Sequence, residues 1–285
     1  MEKSGKRQIL PVILAAVLVL LIAGLAAAAV QIAGKAMEKY TPETTPAVQT
    51  AVPEATSVLP ETTAPTPVPT ETVEKYLVVI DPGHQRRGNY DTEPVGPGAS
   101  EEKAKVTSGT QGRFTGLEEY VLNLQVSLLL RDILLERGYE VVMVRTDHDV
   151  DISNSQRAAL ANELQADVFV RIHANGSEDP GVSGMMTICQ TPDNPYNGEL
   201  YGSCRLLSEL VLEEMAASTG GKRQYVWETD TMSGINWCAV PVTIVEMGYM
   251  TNEAEDRLMA SSEYQLLLAE GIANGIERYF DAISG

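Results

Sequence analysis

Charge-free and charged stretches divide this chain before any motif is considered. Ile9 to Val30, "ILPVILAAVLVLLIAGLAAAAV", is apolar throughout and long enough for one bilayer crossing at about 20 residues per span. Thr41 to Thr70 is rich in Pro and Thr and lacks aromatic residues, Lys and Arg. Such a segment cannot bury enough apolar surface to offset chain entropy, and its prolines favour an extended, semi-rigid stalk. From Tyr76 onward, short β-type runs alternate with helical periodicity. "YLVVI" (Tyr76–Ile80) reads as a buried strand stopped by the turn pair Pro82-Gly83. Gln85 to Thr115 is polar and glycine-rich, and reads as a loop. "GLEEYVLNLQVSLLLRDILLERG" places Leu122, Val126, Leu129 and Ile133 on one helical face and ends at Gly138. "YEVVMV" (Tyr139–Val144) is a strand, and Ser153 with Gln156 forms a capping box for a helix to about Leu164. Strands at Asp167–Ile172, Met185–Cys189 and "PVTIVEM", with helices near Leu200–Ala217 and Tyr264–Phe280, complete the pattern. This alternation predicts an α/β class, a single mostly parallel or mixed sheet with helices on both faces.

Charge orients the first segment. Lys3, Lys6 and Arg7 precede the apolar run, so the positive-inside rule keeps that end in the cytoplasm and the rest of the chain outside. The expected organisation is a cytoplasmic stub and membrane anchor over residues 1–34, a linker over 35–75 and one globular domain over 76–285. A cleaved signal peptide is the alternative, with small residues for a peptidase at Ala26–Ala29, and would give a secreted protein. "LPETTA" (Leu59–Ala64) resembles a sortase signal, but the glycine and the apolar tail that complete such a signal are missing.

A net charge of −18, with no Lys/Arg-rich stripe, excludes nucleic acid as a partner class. Cys189, Cys204 and Cys238 are too few and too far apart for a disulfide framework or a four-cysteine metal site. One disulfide or buried free thiols are the remaining readings. A monomer is expected.

Three of the predicted strands end in a residue that carries chemistry. His84 follows the first strand, His173 closes "DVFVRIH", and Glu246 ends the apolar "PVTIVE". In sheets of this class, sites form beyond the carboxyl ends of the strands. Glu119 lies in the first turn of the helix after the long loop, which faces the same edge. Two imidazoles and a carboxylate make a catalytic-type zinc set with a fourth position open to water. A second, unligated carboxylate, Glu246, would then move protons. Each residue also has an ordinary reading: a turn histidine, a carboxylate favoured by the helix dipole, a competitor for Glu119 in Glu118. His148, in "TDHDV", reads as a solvated loop residue.

"VVIDPGHQ", "TGLEEYVLNLQVSLLL", "SNSQRAALANELQADVFVRIHAN" and "VPVTIVEMGYMTNEAEDRLM" resemble, in order, the motif series of the zinc-dependent N-acetylmuramoyl-L-alanine amidases. The resemblance runs from about Tyr76 to Phe280. It implies Zn2+ as cofactor, His84, Glu119 and His173 as metal ligands and Glu246 as the catalytic glutamate. It implies peptidoglycan as substrate, cut between the lactyl group of N-acetylmuramic acid and the L-alanine of the stem peptide. Arg157, Asn162 and Asn175 also match family positions, the first two as structural braces and the third as an orienter of the His173 loop. Two departures stand out. The Gln85–Thr115 stretch is longer than the family's glycine-rich turn and is expected to wall the cleft, and no long helical insertion follows "HAN". Trp237, in "TDTMSGINWCAVP", is a candidate sugar-stacking face or a core residue. Two rival functions remain: a non-catalytic peptidoglycan-binding relative, which the intact four-residue set disfavours, and another zinc hydrolase of the cell wall, which motif order disfavours.

Overall fold

The computed structural model describes residues 75–284. The expected membrane anchor and stalk lie outside the described residues. Among the described residues no helix is long and apolar enough to cross a membrane.

Among the described residues, eight strands and six α-helices follow one another as β1 (Leu77–Pro82), β2 (Asn89–Pro94), β3 (Glu102–Val106), α1 (Glu119–Glu136), β4 (Glu140–Met143), α2 (Asn154–Glu163), β5 (Val168–Asn175), β6 (Met185–Cys189), α3 (Tyr201–Thr219), β7 (Arg223–Glu228), α4 (Ser233–Asn236), β8 (Val242–Tyr249), α5 (Glu253–Met259) and α6 (Ser262–Ser284). Six strands form one sheet in the order β4-β1-β5-β8-β6-β7. The first four run parallel, while β6 pairs antiparallel to β8 and parallel to β7. The sheet is therefore mixed and mostly parallel.

Alternation along the strands builds two cores. Val78, Ile80, Val168, Val170 and Ile172 pack with α1, α3 and α6. Val79, Phe169, Val242 and Ile244 pack with α2 and α4 on the opposite face. Both faces of β1 and β5 are thus buried, which explains their unbroken apolar runs. The deepest stripe of α1 is Leu122, Val126, Leu130 and Leu134, with Leu129 and Ile133 only partly buried beside it. The Ser153–Gln156 capping box is present as expected.

Several expectations are corrected. The Gln85–Thr115 stretch is not all loop, since β2 and β3 form an antiparallel hairpin within it. β5 continues through His173 to Asn175 rather than stopping at Ile172, because the β5–β8 ladder still pairs His173 with Glu246. β7 is an additional strand, and its exposed residues alternate with partly buried ones as at a sheet edge. All three cysteines are free and buried, so the disulfide reading falls.

Candidate active site

The site starts with the way β1 is stopped. Beyond Pro82 the chain turns, and the Gly83 amide donates to the Ile172 carbonyl over 2.9 Å. His84 takes a left-handed φ of 59°, a conformation that costs a non-glycine residue of order 1–3 kcal/mol unless its surroundings hold it. Arg157 supplies part of that hold by donating to the His84 carbonyl (3.1 Å) and the Pro82 carbonyl (3.1 Å), and Arg145 donates to Pro82 (2.8 Å) and Gly83 (3.0 Å). The His84 ring lies with Nδ1 2.9 Å from the Thr107 carbonyl. That contact assigns the proton to Nδ1 and leaves the Nε2 lone pair free.

His173, on β5, packs its ring against Gly83, where any Cβ would overlap the imidazole. Glu119 opens α1. Its Oε1 lies 3.1 Å from His84 Nε2 and 3.3 Å from His173 Nδ1, and those two nitrogens are 3.2 Å apart. The Thr110 amide fixes the other carboxylate oxygen at 2.8 Å, while Asn123 and the Ala174 amide donate to Oε1 at 3.2 Å each. Elements distant in sequence, β1, α1 and β5, therefore aim three acceptor atoms at one point. Glu246 stands next to them on β8, in register with His173.

Electrostatics follow from burial and proximity. Desolvation alone would raise the Glu119 carboxyl, but His84 and His173 outweigh it and hold the group well below the usual carboxylate range. Burial pushes the His173 imidazole down to about 4, against the pull of Glu119, so it is neutral near pH 7. Neutral imidazole is the form that ligates metals. Burial raises Glu246 well above the usual range, with the Glu119 charge adding to it. Its Oε2 is buried without a hydrogen-bond partner. Ligand atoms of His84, Glu119 and His173 all lie within 4.8 Å of one another, a clustering of lone pairs that a cation relieves. The donor set fits: two imidazoles and one carboxylate, with room for a further ligand, can hold a metal ion.

The remaining candidates separate. Glu118 accepts from Gln111 (2.8 Å) and takes no part in the cluster. Arg157 is fully buried and braces the end of β1. Asn162 bridges the Trp237 carbonyl and the Ala239 amide, steadying the approach to β8. Asn175 caps its own loop by accepting from the Gly176 amide (2.8 Å). His148 is not solvated as expected; it is half-buried edge-on against Tyr120, with Nδ1 unpartnered. Trp237 is half-buried against the core, and its indole N–H donates to the Pro94 carbonyl (2.8 Å), which ties down the β2–β3 hairpin. Residue-by-residue reading missed Asp81 and Arg171. Asp81 accepts from Arg157 (2.6 Å) and Arg171 (2.8 Å) directly beneath the site. A polar residue inside each otherwise apolar strand was the available signal.

Two cavities of about 440 and 480 Å³ meet at His84, His173 and Glu246. The first runs between the β2–β3 hairpin and α4, so the long insertion does wall the cleft. No helix stands between β5 and β6, and the cleft is not plugged from that side.

Comparison with known proteins identifies the family. The family model described as N-acetylmuramoyl-L-alanine amidase matches residues 78–278. An uncharacterized Bacillus subtilis protein, YqiI, is 33% identical over 77% of this chain and 92% of its own length. The N-acetylmuramoyl-L-alanine amidase Rv3717 of Mycobacterium tuberculosis is 27% identical over 70% of this chain and 84% of its own. The crystal structure of the amidase Ami1 from Mycobacterium smegmatis superposes with a TM-score of 0.66 at 28% identity, covering 73% of this chain and 97% of that one. Matched from β1 to α6, this chain belongs to the N-acetylmuramoyl-L-alanine amidase family of peptidoglycan hydrolases.

Proposed function

We propose that the metal is zinc, that His84 Nε2, Glu119 Oε1 and His173 Nδ1 hold it, and that Glu246 is the general base and acid of amide hydrolysis. The convergence of those three atoms beside a buried carboxylate with an unpartnered oxygen is the observation that carries the reading. A zinc ion bound there supplies Lewis acidity toward the scissile carbonyl and its attacking water. Glu246 accepts the proton as that water attacks the lactyl carbonyl carbon. It then delivers the proton to the alanine nitrogen, which leaves poorly as an anion. Burial suits it to both steps, because a raised pKa makes the carboxylate a stronger base. Thr107 and Thr110 keep His84 and Glu119 in position through the hydrogen bonds described above. The test is metal content and product analysis together. His84→Ala and His173→Ala should each lose stoichiometric zinc; full occupancy in both would sink the assignment. Mass spectrometry should find glycan bearing a free lactyl carboxylate and peptide beginning with L-alanine. Any other cut would favour a different cell-wall hydrolase.

We also infer that the enzyme works outside the cytoplasmic membrane, tethered by Ile9–Val30. The supporting observation is the charge asymmetry of Lys3, Lys6 and Arg7 before that apolar run. The native protein should fractionate with membranes and be open to external protease. Recovery of a soluble form beginning near Gln31 would show a cleaved signal instead.

A further inference from the structure

We propose that Arg171 binds a free carboxylate on the stem-peptide residue that follows L-alanine, making the enzyme selective for that acid over its amide. The inference rests on the amidase reading and deepens it. Arg171 precedes His173 by two residues on β5, so both side chains lie on the same face of the sheet. The 440 Å³ cavity joins His84, His173 and Glu246 to Arg171 and Lys103. In a chain of net charge −18 this wall is basic: Lys103 and Arg171 line it, and Glu246 is its one acid. The second cavity, by contrast, is lined by Glu119, Glu178 and Glu246 and by no Lys or Arg.

The charge beneath the wall is unbalanced. Asp81 is shared between Arg157 Nη1 (2.6 Å) and Arg171 Nε (2.8 Å), and the three side chains are no more than 4% exposed. One carboxylate thus faces two guanidinium groups. Arg171 Nη2 donates to the neutral Asn154 amide oxygen (2.8 Å). Among the described residues Nη1 has no hydrogen-bond partner. It packs against Gly234, where any Cβ would fall on that atom, and both residues line the cavity. A buried guanidinium with surplus charge and an unpaired N–H is costly unless an anion meets it.

A carboxylate on the residue beyond L-alanine would lie at a matching distance. Extended peptide advances about 3.3–3.6 Å per residue, so the residue beyond L-alanine lies roughly 7 Å from the reacting carbon. Two residues along a strand, the step from His173 back to Arg171, span roughly the same length. The peptide side of the scissile amide therefore runs along the basic wall, and the neutral glycan side takes the acidic cavity.

Two synthetic muropeptides that differ only in a carboxylate or a carboxamide on the residue after L-alanine test this on the zinc-loaded protein. The acid should be cleaved with kcat/KM roughly 10- to 100-fold higher, mostly through KM, as for a charge-assisted hydrogen bond. In R171Q the ratio should collapse toward one, with zinc content unchanged. Equal rates on the unaltered enzyme would overturn the inference, and that comparison decides even where R171Q does not fold. An R171Q variant that slows both substrates equally would mark Arg171 as purely structural and overturn it too. Cleavage of neither muropeptide by the zinc-loaded, unaltered enzyme would sink the amidase reading and this inference with it.

Discussion

Glu246 lies mid-strand in β8 rather than at its end, after the buried run Val242–Val245, and its proposed role separates metal holding from catalysis. Glu246→Gln keeps the shape but cannot move a proton. Hydrolysis should fall by about 10²–10⁴-fold while zinc content and melting temperature hold. Loss of zinc in that variant would make Glu246 a ligand. Asp81 gives the second prediction. Burial would raise its carboxyl, but Arg157 and Arg171 outweigh burial and hold it far below the usual range. A depressed folded pKa means that its stabilising effect is complete above the unfolded value of about 4 and fades as pH falls through the folded one. Urea titrations of the unaltered domain should therefore show a steeper acid loss of stability below about pH 4 than Asp81→Asn does. The variant itself should be less stable at pH 7 by roughly 3–5 kcal/mol, since two guanidiniums lose their partner.

Among the elements, the β2–β3 hairpin shows how a wall is held without a core of its own. Most of its residues are at least partly exposed. Docking replaces apolar burial: Glu93 accepts from the Ser155 amide at the start of α2, Asn236 donates to the Val95 carbonyl, and Trp237 donates to Pro94. Trp237→Phe should keep the packing but free the hairpin. We expect a melting temperature within a few degrees of normal and a clear rise in KM for peptidoglycan fragments; an unchanged KM would argue against the wall. Helices α3 and α6 meet differently. A Cβ at Gly271 would strike the Met215 backbone, and one at Gly275 the Val211 backbone. Alanine at either site gains about 1 kcal/mol of helix propensity but forces two backbones apart, which costs typically 1–3 kcal/mol and more when backbone must shift. Gly275→Ala should lower the melting temperature despite its better propensity, and a rise would refute the close crossing.

At the scale of the whole domain, the proposed metal site would be a fastener as well as a reaction centre. It joins the end of β1, the start of α1 and β5, whose ligands lie far apart in the chain. A ligand that binds only the folded state stabilises it by about 2.7 kcal/mol at a hundred times its Kd. For a domain of this size that is roughly 5–10 °C of melting temperature. A chelator should abolish hydrolysis and lower the melting temperature by about that much, and added zinc should restore both. No change in melting temperature would mean that the three residues do not hold the ion.

The buried strands, the α1 helix and the capped α2 were legible in the chain, and His84, His173 and Glu246 stood out as polar residues after apolar runs, because each announces itself locally, whereas Glu119 was told from Glu118 only by the resemblance. An apolar run ends in a polar group, or a cap precedes a periodic face, and these are short-range facts. The hairpin was not legible, because "NYDTEP" and "EKAKV" carry no apolar alternation and are held by partners elsewhere in the chain. Nor was the fate of Trp237: the choice between a sugar face and a brace depended on where the Pro94 carbonyl would lie. Arg171 was hidden for the same reason, since one guanidinium inside "DVFVRIHAN" says nothing until Asp81 is seen to be shared. Local pattern thus determined which elements form and which residues reach the sheet edge. Only tertiary structure decided how the charges pair, because pairing depends on distances between residues far apart in the chain.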